Sequence, residues 1–112
     1  MGTIWSNTAD AILSVGRSLA DVGVRNWALT REQALAAFDQ LLAAGIGVFG
    51  GDVYKEKSGN IQISYDNWYC DPDPGEQKSE FAVRSVAKAR EYIIKYKTWS
   101  DEAFLFAIVP DA

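Results

Sequence analysis

Apolar and polar positions follow two different rhythms along these 112 residues. Between Thr8 and Ala20, the residues Ala9, Ile12, Leu13, Gly16, Leu19 and Ala20 recur at three-and-four spacing, which collects them on one face of a helix. Thr8 is a candidate N-cap and Gly23 a stop, and Gly16 weakens the helix interior unless another element packs closely on it. Val22 to Leu29 then connects, with Trp27 folded back onto the core. A second helix opens on Thr30-Arg31-Glu32-Gln33, the form of a capping box, in which hydroxyl and amide side chains each satisfy a free backbone group. Its buried stripe is Ala34, Leu35, Phe38, Leu41 and Leu42, and Gly45 supplies the left-handed residue that ends it.

The rhythm changes at Ile46. From Gly50 to Trp68 two β-rich runs flank Ser58-Gly59-Asn60, the pattern of a β-hairpin. Two prolines and a glycine make Cys70 to Gln77 a loop. Helical spacing returns from about Ser79 to Tyr96, with Ala82, Val83, Val86, Ala89, Ile93 and Tyr96 inward, and with Glu80/Arg84 and Glu91/Lys95 as four-residue ion pairs on the outside. Ala103 to Val109 is apolar throughout, as a strand covered on both faces is, and Pro110 ends it. The order helix, helix, strand, strand, helix, strand predicts a single α+β domain over residues 1–112, with a small antiparallel sheet of hairpin and C-terminal central strand packed with three helices.

Hairpin register decides which side chains share a face. A three-residue Ser58-Gly59-Asn60 loop pairs Lys57 with Ile61, Val53 with Tyr65 and Phe49 with Tyr69. It gathers Phe49, Val53, Ile61, Ile63, Tyr65 and Tyr69 toward the core. The outer face then carries Asp52, Tyr54, Glu56, Gln62, Ser64, Asp66 and Trp68. A bulge at Gly50-Gly51 would change the pairing beyond Asp52. In this register Asp52 opposes Asp66, an arrangement that costs stability unless something uses it. Solvated carboxylates, a cationic protein partner, a divalent metal and carboxylate-pair catalysis would each account for it. Two carboxylates without a ligand-dense loop make a poor metal cage, and a chain this short leaves little room for a substrate cleft.

Charge sharpens the picture. The chain carries a net −4, and Ile46 to Gln77 alone holds two lysines against six acids. That excess disfavours nucleic acid and suits a cationic surface, with Asp52, Tyr54, Glu56, Asp66, Trp68, Asp71 and Asp73 as candidate partner-binding residues. Cys70 is the single cysteine and histidine is absent, so an intramolecular disulfide, cysteine-rich and HExxH zinc sites, zinc fingers and histidine-based nucleophilic catalysis are excluded, and no cofactor or metal is expected. Trp5, Trp27 and Trp99 are expected in or at the edge of the core. With no basic-then-apolar start and no long apolar run, a cytoplasmic protein with no membrane partner is expected.

At Phe49-Gly50-Gly51-Asp52-Val53-Tyr54, followed by the hairpin and Asp66-Asn67-Trp68, the sequence resembles the immunity protein 40 family of bacterial polymorphic toxin systems. The similarity runs from about Leu19, through Arg31 to Gly45, to the end of the last strand. It implies a small α+β inhibitor, encoded beside a toxin gene, that protects its producer by binding the cognate toxin domain. It transfers no catalytic residues, and no enzymatic activity is expected. The alternative is an intracellular homo-oligomeric or regulatory module that pairs copies through the hairpin edge.

Overall fold

The computed structural model describes residues 2–112. The first helix, α1 (Asn7–Leu13), is shorter than its periodicity suggests. Ser6, not Thr8, caps it, with its hydroxyl accepting from the Ala9 amide, and Asp10 accepts from the amides of Ile4 and Trp5. The chain leaves the helix where Gly16 lies against the Ala28 carbonyl and the Leu29 side chain, a gap too narrow for a Cβ. It runs into β1 (Arg17–Ser18), a 3-10 turn at Ala20–Val22 and β2 (Trp27–Leu29). The expected plain connection therefore contains two strands, each too short to carry a period.

The helix α2 (Arg31–Ala43) starts with the predicted capping box and is followed by Gly45 at a φ of 72°. Helix α3 (Lys78–Lys95) matches its predicted span to within a residue at each end. Its inward face differs in detail: Phe81 and Ser85 are buried, while Val83 faces solvent. Buried Ser85 repays its hydroxyl by accepting the Val48 amide at 2.9 Å. Arg31 donates to the carbonyls of Ile93 and Tyr96, satisfying the end of α3 from α2.

Strands β3 (Val48–Lys57), β4 (Asn60–Tyr69) and β5 (Ala103–Pro110) complete an antiparallel sheet in the order β1-β2-β5-β3-β4. The apolar β5 is its centre, as expected. All three helices cover one face, where Leu29, Val48, Val53, Trp68, Phe104, Phe106 and Ile108 join Leu13, Phe38, Leu41 and Ile93 in the main core. The other face has a smaller cluster of Leu19, Ala28, Tyr54, Leu105 and Ala107, roofed by the segment that carries Leu19 and Val24. That roof is contributed by the stretch with the least legible pattern; on β4 it reaches Ile61 and leaves Ile63, Tyr65 and Tyr69 exposed.

The hairpin exists in a different register from the one expected. Its turn is two residues, Ser58-Gly59, both left-handed at φ 54° and 81°, so Lys57 pairs with Asn60 and Tyr54 with Ile63. Farther along, three residues of β4 (Ser64, Tyr65, Asp66) oppose Val53 alone, and pairing resumes at Asp52 with Asn67. A second irregularity falls between Val48 and Gly50 against β5, next to the suspected glycine pair. The turn slips the pairing by one residue, and the bulge shifts it back by two in the opposite direction, which preserves which side faces where. Every β4 side chain is therefore turned over relative to the expectation, while β3 keeps the predicted facing.

Candidate functional site

The candidate site is the hairpin, and the register correction redistributes its residues. Asp52, Tyr54 and Glu56 share the face away from the helices with Ile61, Ile63, Tyr65, Asn67 and Tyr69, while Gln62, Ser64, Asp66 and Trp68 point to the helix side. The opposed Asp52/Asp66 pair does not exist. Asp66 instead accepts a hydrogen bond from the Tyr96 hydroxyl at 2.6 Å and lies 3.6 Å from the Lys97 ammonium. Burial, followed by this bond, raises Tyr96 to about 12. Trp68 is only 6% exposed and stacks on Tyr92 with centroids 5.0 Å apart. The expected outward Trp68 is thus a core residue, whereas Trp99, expected near the core, is 81% exposed.

Of the other candidates, Tyr54 lies under the small cluster at 5% exposure. Its burial and then the charge of Asp52 raise its pKa. Glu56 pairs with Arg17 at 3.0 Å, and Arg17 also donates to the Gly59 carbonyl, so this ion pair ties β1 to the hairpin turn. Asp52 is different: among the described residues it has no ion pair and no side-chain hydrogen bond, although partial burial raises its pKa.

The Cys70–Gln77 loop is organised by Arg84 rather than left loose. Its guanidinium donates to both Glu76 carboxylate oxygens, to the Asp71 carbonyl and to Cys70 Sγ, and stands 3.7 Å from Asp73. Hydrogen bonding to Arg84, then to the Asp73 amide, lowers Glu76 to about 2. The expected Glu80/Arg84 pair is replaced by this one, since Glu80 caps the helix by accepting the Gln77 amide. Asp71 keeps its carboxylate exposed.

Three residues missed as outward candidates now dominate the hairpin surface. Tyr65, Tyr69 and Ile63 are 81%, 68% and 51% exposed, and Lys88 of α3 lies 5.2 Å over the Tyr69 ring. Tyr65 also adopts a left-handed φ of 68°, an uncommon conformation for a bulky side chain, at the centre of the bulge. The sequence signal that would have identified them is the Ser58-Gly59 pair read as a two-residue turn.

A shallow notch of about 190 Å³ lies beside these residues. Phe49, Gly50, Gly51, Asp52, Asn67, Trp68 and Val109 line it. The glycines are required by packing. A Cβ on Gly50 would strike the Trp68 carbonyl, and one on Gly51 would strike the Trp68 ring and the Ala107 carbonyl. The short motif Gly-Gly-Asp-Val thus describes a floor without side chains, one unpaired acid and one core valine.

Among the described residues, no helix is long and apolar enough to cross a membrane. No curated protein and no solved structure matches the chain. The immunity protein 40 family does match, over residues 18–110, a span that takes in β2 to β5, α2, α3 and the glycine motif. The chain therefore belongs to the immunity protein 40 family, whose members are inhibitors without enzymatic activity.

Proposed function

We propose that this protein binds and neutralises a cognate bacterial toxin domain in the cytoplasm of the cell that makes it, and that the outer hairpin face is its binding surface. The observation that carries the surface assignment is the exposure of Ile63, Tyr65 and Tyr69 on the face that also holds Asp52. Large side chains left outside a core usually mark a contact, and tyrosine is a common anchor of protein interfaces. Asp52, with Asp71 and Asp73 of the adjoining loop, supplies charge that would attract a basic toxin surface. Trp68, Tyr54 and Asp66 support this surface from beneath or behind rather than touching the partner.

The direct test uses the toxin domain encoded next to this chain. Replacing Tyr65 and Tyr69 together by alanine is expected to abolish growth protection and weaken the complex by at least about tenfold, as loss of an interface anchor does. The thermal unfolding midpoint should change little, because both side chains are exposed. Full protection by the double variant would remove this face from consideration.

The free outer edge of β4 favours a second reading, in which two copies pair edge to edge. The bulge at Ser64–Asp66 interrupts such an edge after Asn60–Ile63, and this weighs against it. Sedimentation across a wide concentration range separates the two: a constant monomer mass excludes edge pairing.

A further inference from the structure

We infer that the glycine-floored notch at Gly50–Gly51 is a receptor for one cationic side chain of the partner, an arginine in preference to a lysine, with Asp52 as its counter-ion. The inference rests on the proposed inhibitor reading and gives that surface a specific chemistry.

Five features point the same way. The floor is backbone, because packing against Trp68 and the Ala107 carbonyl forbids side chains at both glycines. The walls include Phe49 and Val109, apolar surface that suits the planar, weakly hydrated guanidinium and its methylene stem better than a compact ammonium. One end of the notch carries Asp52, and its cross-strand partner Asn67 adds an amide that can accept a further N–H. Asp52 is an exposed residue and, among the described residues, has no ion-pair or hydrogen-bond partner, so its charge is free for an incoming cation in a charge-assisted, bidentate hydrogen bond. The volume of about 190 Å³ suits one side chain and not a folded ligand.

Other acids on the hairpin and loop lack this combination. Glu56 is taken by Arg17, Glu76 by Arg84, and Asp66 by Tyr96 and Lys97. Asp71 is exposed on the loop and does not line the notch. Asp52 therefore stands out by having both an unused charge and a shaped space beside it. Tyr69, paired with Gly50, borders the notch, so an arginine seated there would enter next to the tyrosine surface.

The test is an amide NMR titration of the intact protein with N-acetyl-arginine methylamide at millimolar concentration. The uncharged citrulline analogue, which has nearly the same shape, serves as the control. Saturable shifts at Gly50, Gly51, Asp52 and the Asn67 side-chain amide are expected with the arginine compound only. They should vanish in Asp52→Asn, whose thermal midpoint at neutral pH should match the parent because no internal partner is lost. Absence of saturable shifts, equal shifts with citrulline, or shifts that persist in Asp52→Asn would each overturn the inference. Toxin capture is scored separately with the Tyr65/Tyr69 double variant. Failure of the titration with tyrosine-dependent capture intact removes only the notch, whereas tyrosine-independent capture removes the surface itself.

Discussion

Gly51 shows how one residue joins fold to site. Its missing side chain lets the Trp68 ring lie under β3 while the Ala107 carbonyl of β5 approaches from the other strand. Gly51→Ala is therefore an overpacking change between two strands and an aromatic ring. It should destabilise the protein by about 1–3 kcal/mol, measured by urea denaturation. Because Ala107 contributes backbone and Trp68 is held by Tyr92, neither neighbour can yield easily. A variant as stable as the parent would mean that the strands separate readily here, and the rigid floor of the notch would go with that result. From the sequence, Gly50-Gly51 was legible as a bulge candidate. What it packs against was not, because the contact is made by residues 17 and 56 positions farther along the chain.

At the scale of elements, legibility followed the length and regularity of the pattern. α2 and α3 came through nearly intact because each combines a cap with several turns of periodic spacing, and β5 because its apolar run admits only a central position. The hairpin was recognisable as such, but its register depended on whether Asn60 belonged to the turn. The three-residue loop collects Ile61, Ile63, Tyr65 and Tyr69 toward the core and leaves Trp68 outside. The protein instead leaves Ile63, Tyr65 and Tyr69 outside and spends Trp68 on the core, so that grouping failed at the place where the surface departs from simple burial. The β4–α3 loop was legible as irregular, yet its clamp was hidden, since Arg84 was assigned to the helix neighbour Glu80 rather than to Glu76. That clamp has a measurable pH signature. Glu76 sits at about 2 in the folded protein against an ordinary 4.5, so its stabilising effect is present above about pH 4.5 and fades as pH falls toward 2. Glu76→Gln should melt below the parent at neutral pH, and the two thermal midpoints should converge near pH 2. Parallel curves over that range would show that Arg84 does not hold the loop through this charge.

Across the whole molecule, charge and coverage are divided along the same line. The helices and their cations, including Lys88, Arg90 and Lys95, occupy one face of the sheet, with Lys97 just beyond the end of α3. Several of those cations are engaged, Arg90 with Asp39 and Lys95 with Glu91. The opposite face is roofed over its β2–β5–β3 part and as far as Ile61, leaving the rest of β4 bare beside Asp52, Asp71 and Asp73. Folding thus presents an acidic, aromatic edge, which is the arrangement that steers a basic partner before contact. The association rate with the toxin domain should accordingly fall by about tenfold or more between roughly 20 mM and 500 mM salt, since screening lengths shrink below the separation over which steering acts. Dissociation should respond much less, because the tyrosine contacts are not screened. Asp71→Lys, placed outside the notch, should lower the association rate and flatten its salt dependence while leaving dissociation nearly unchanged. Stopped-flow fluorescence resolves both rates, and the exposed Trp99 offers an intrinsic signal wherever the partner comes near it. A salt-independent association rate would show that recognition begins with the apolar contacts alone, and the acidic excess of the hairpin half would then serve the solubility of the chain rather than capture of a partner.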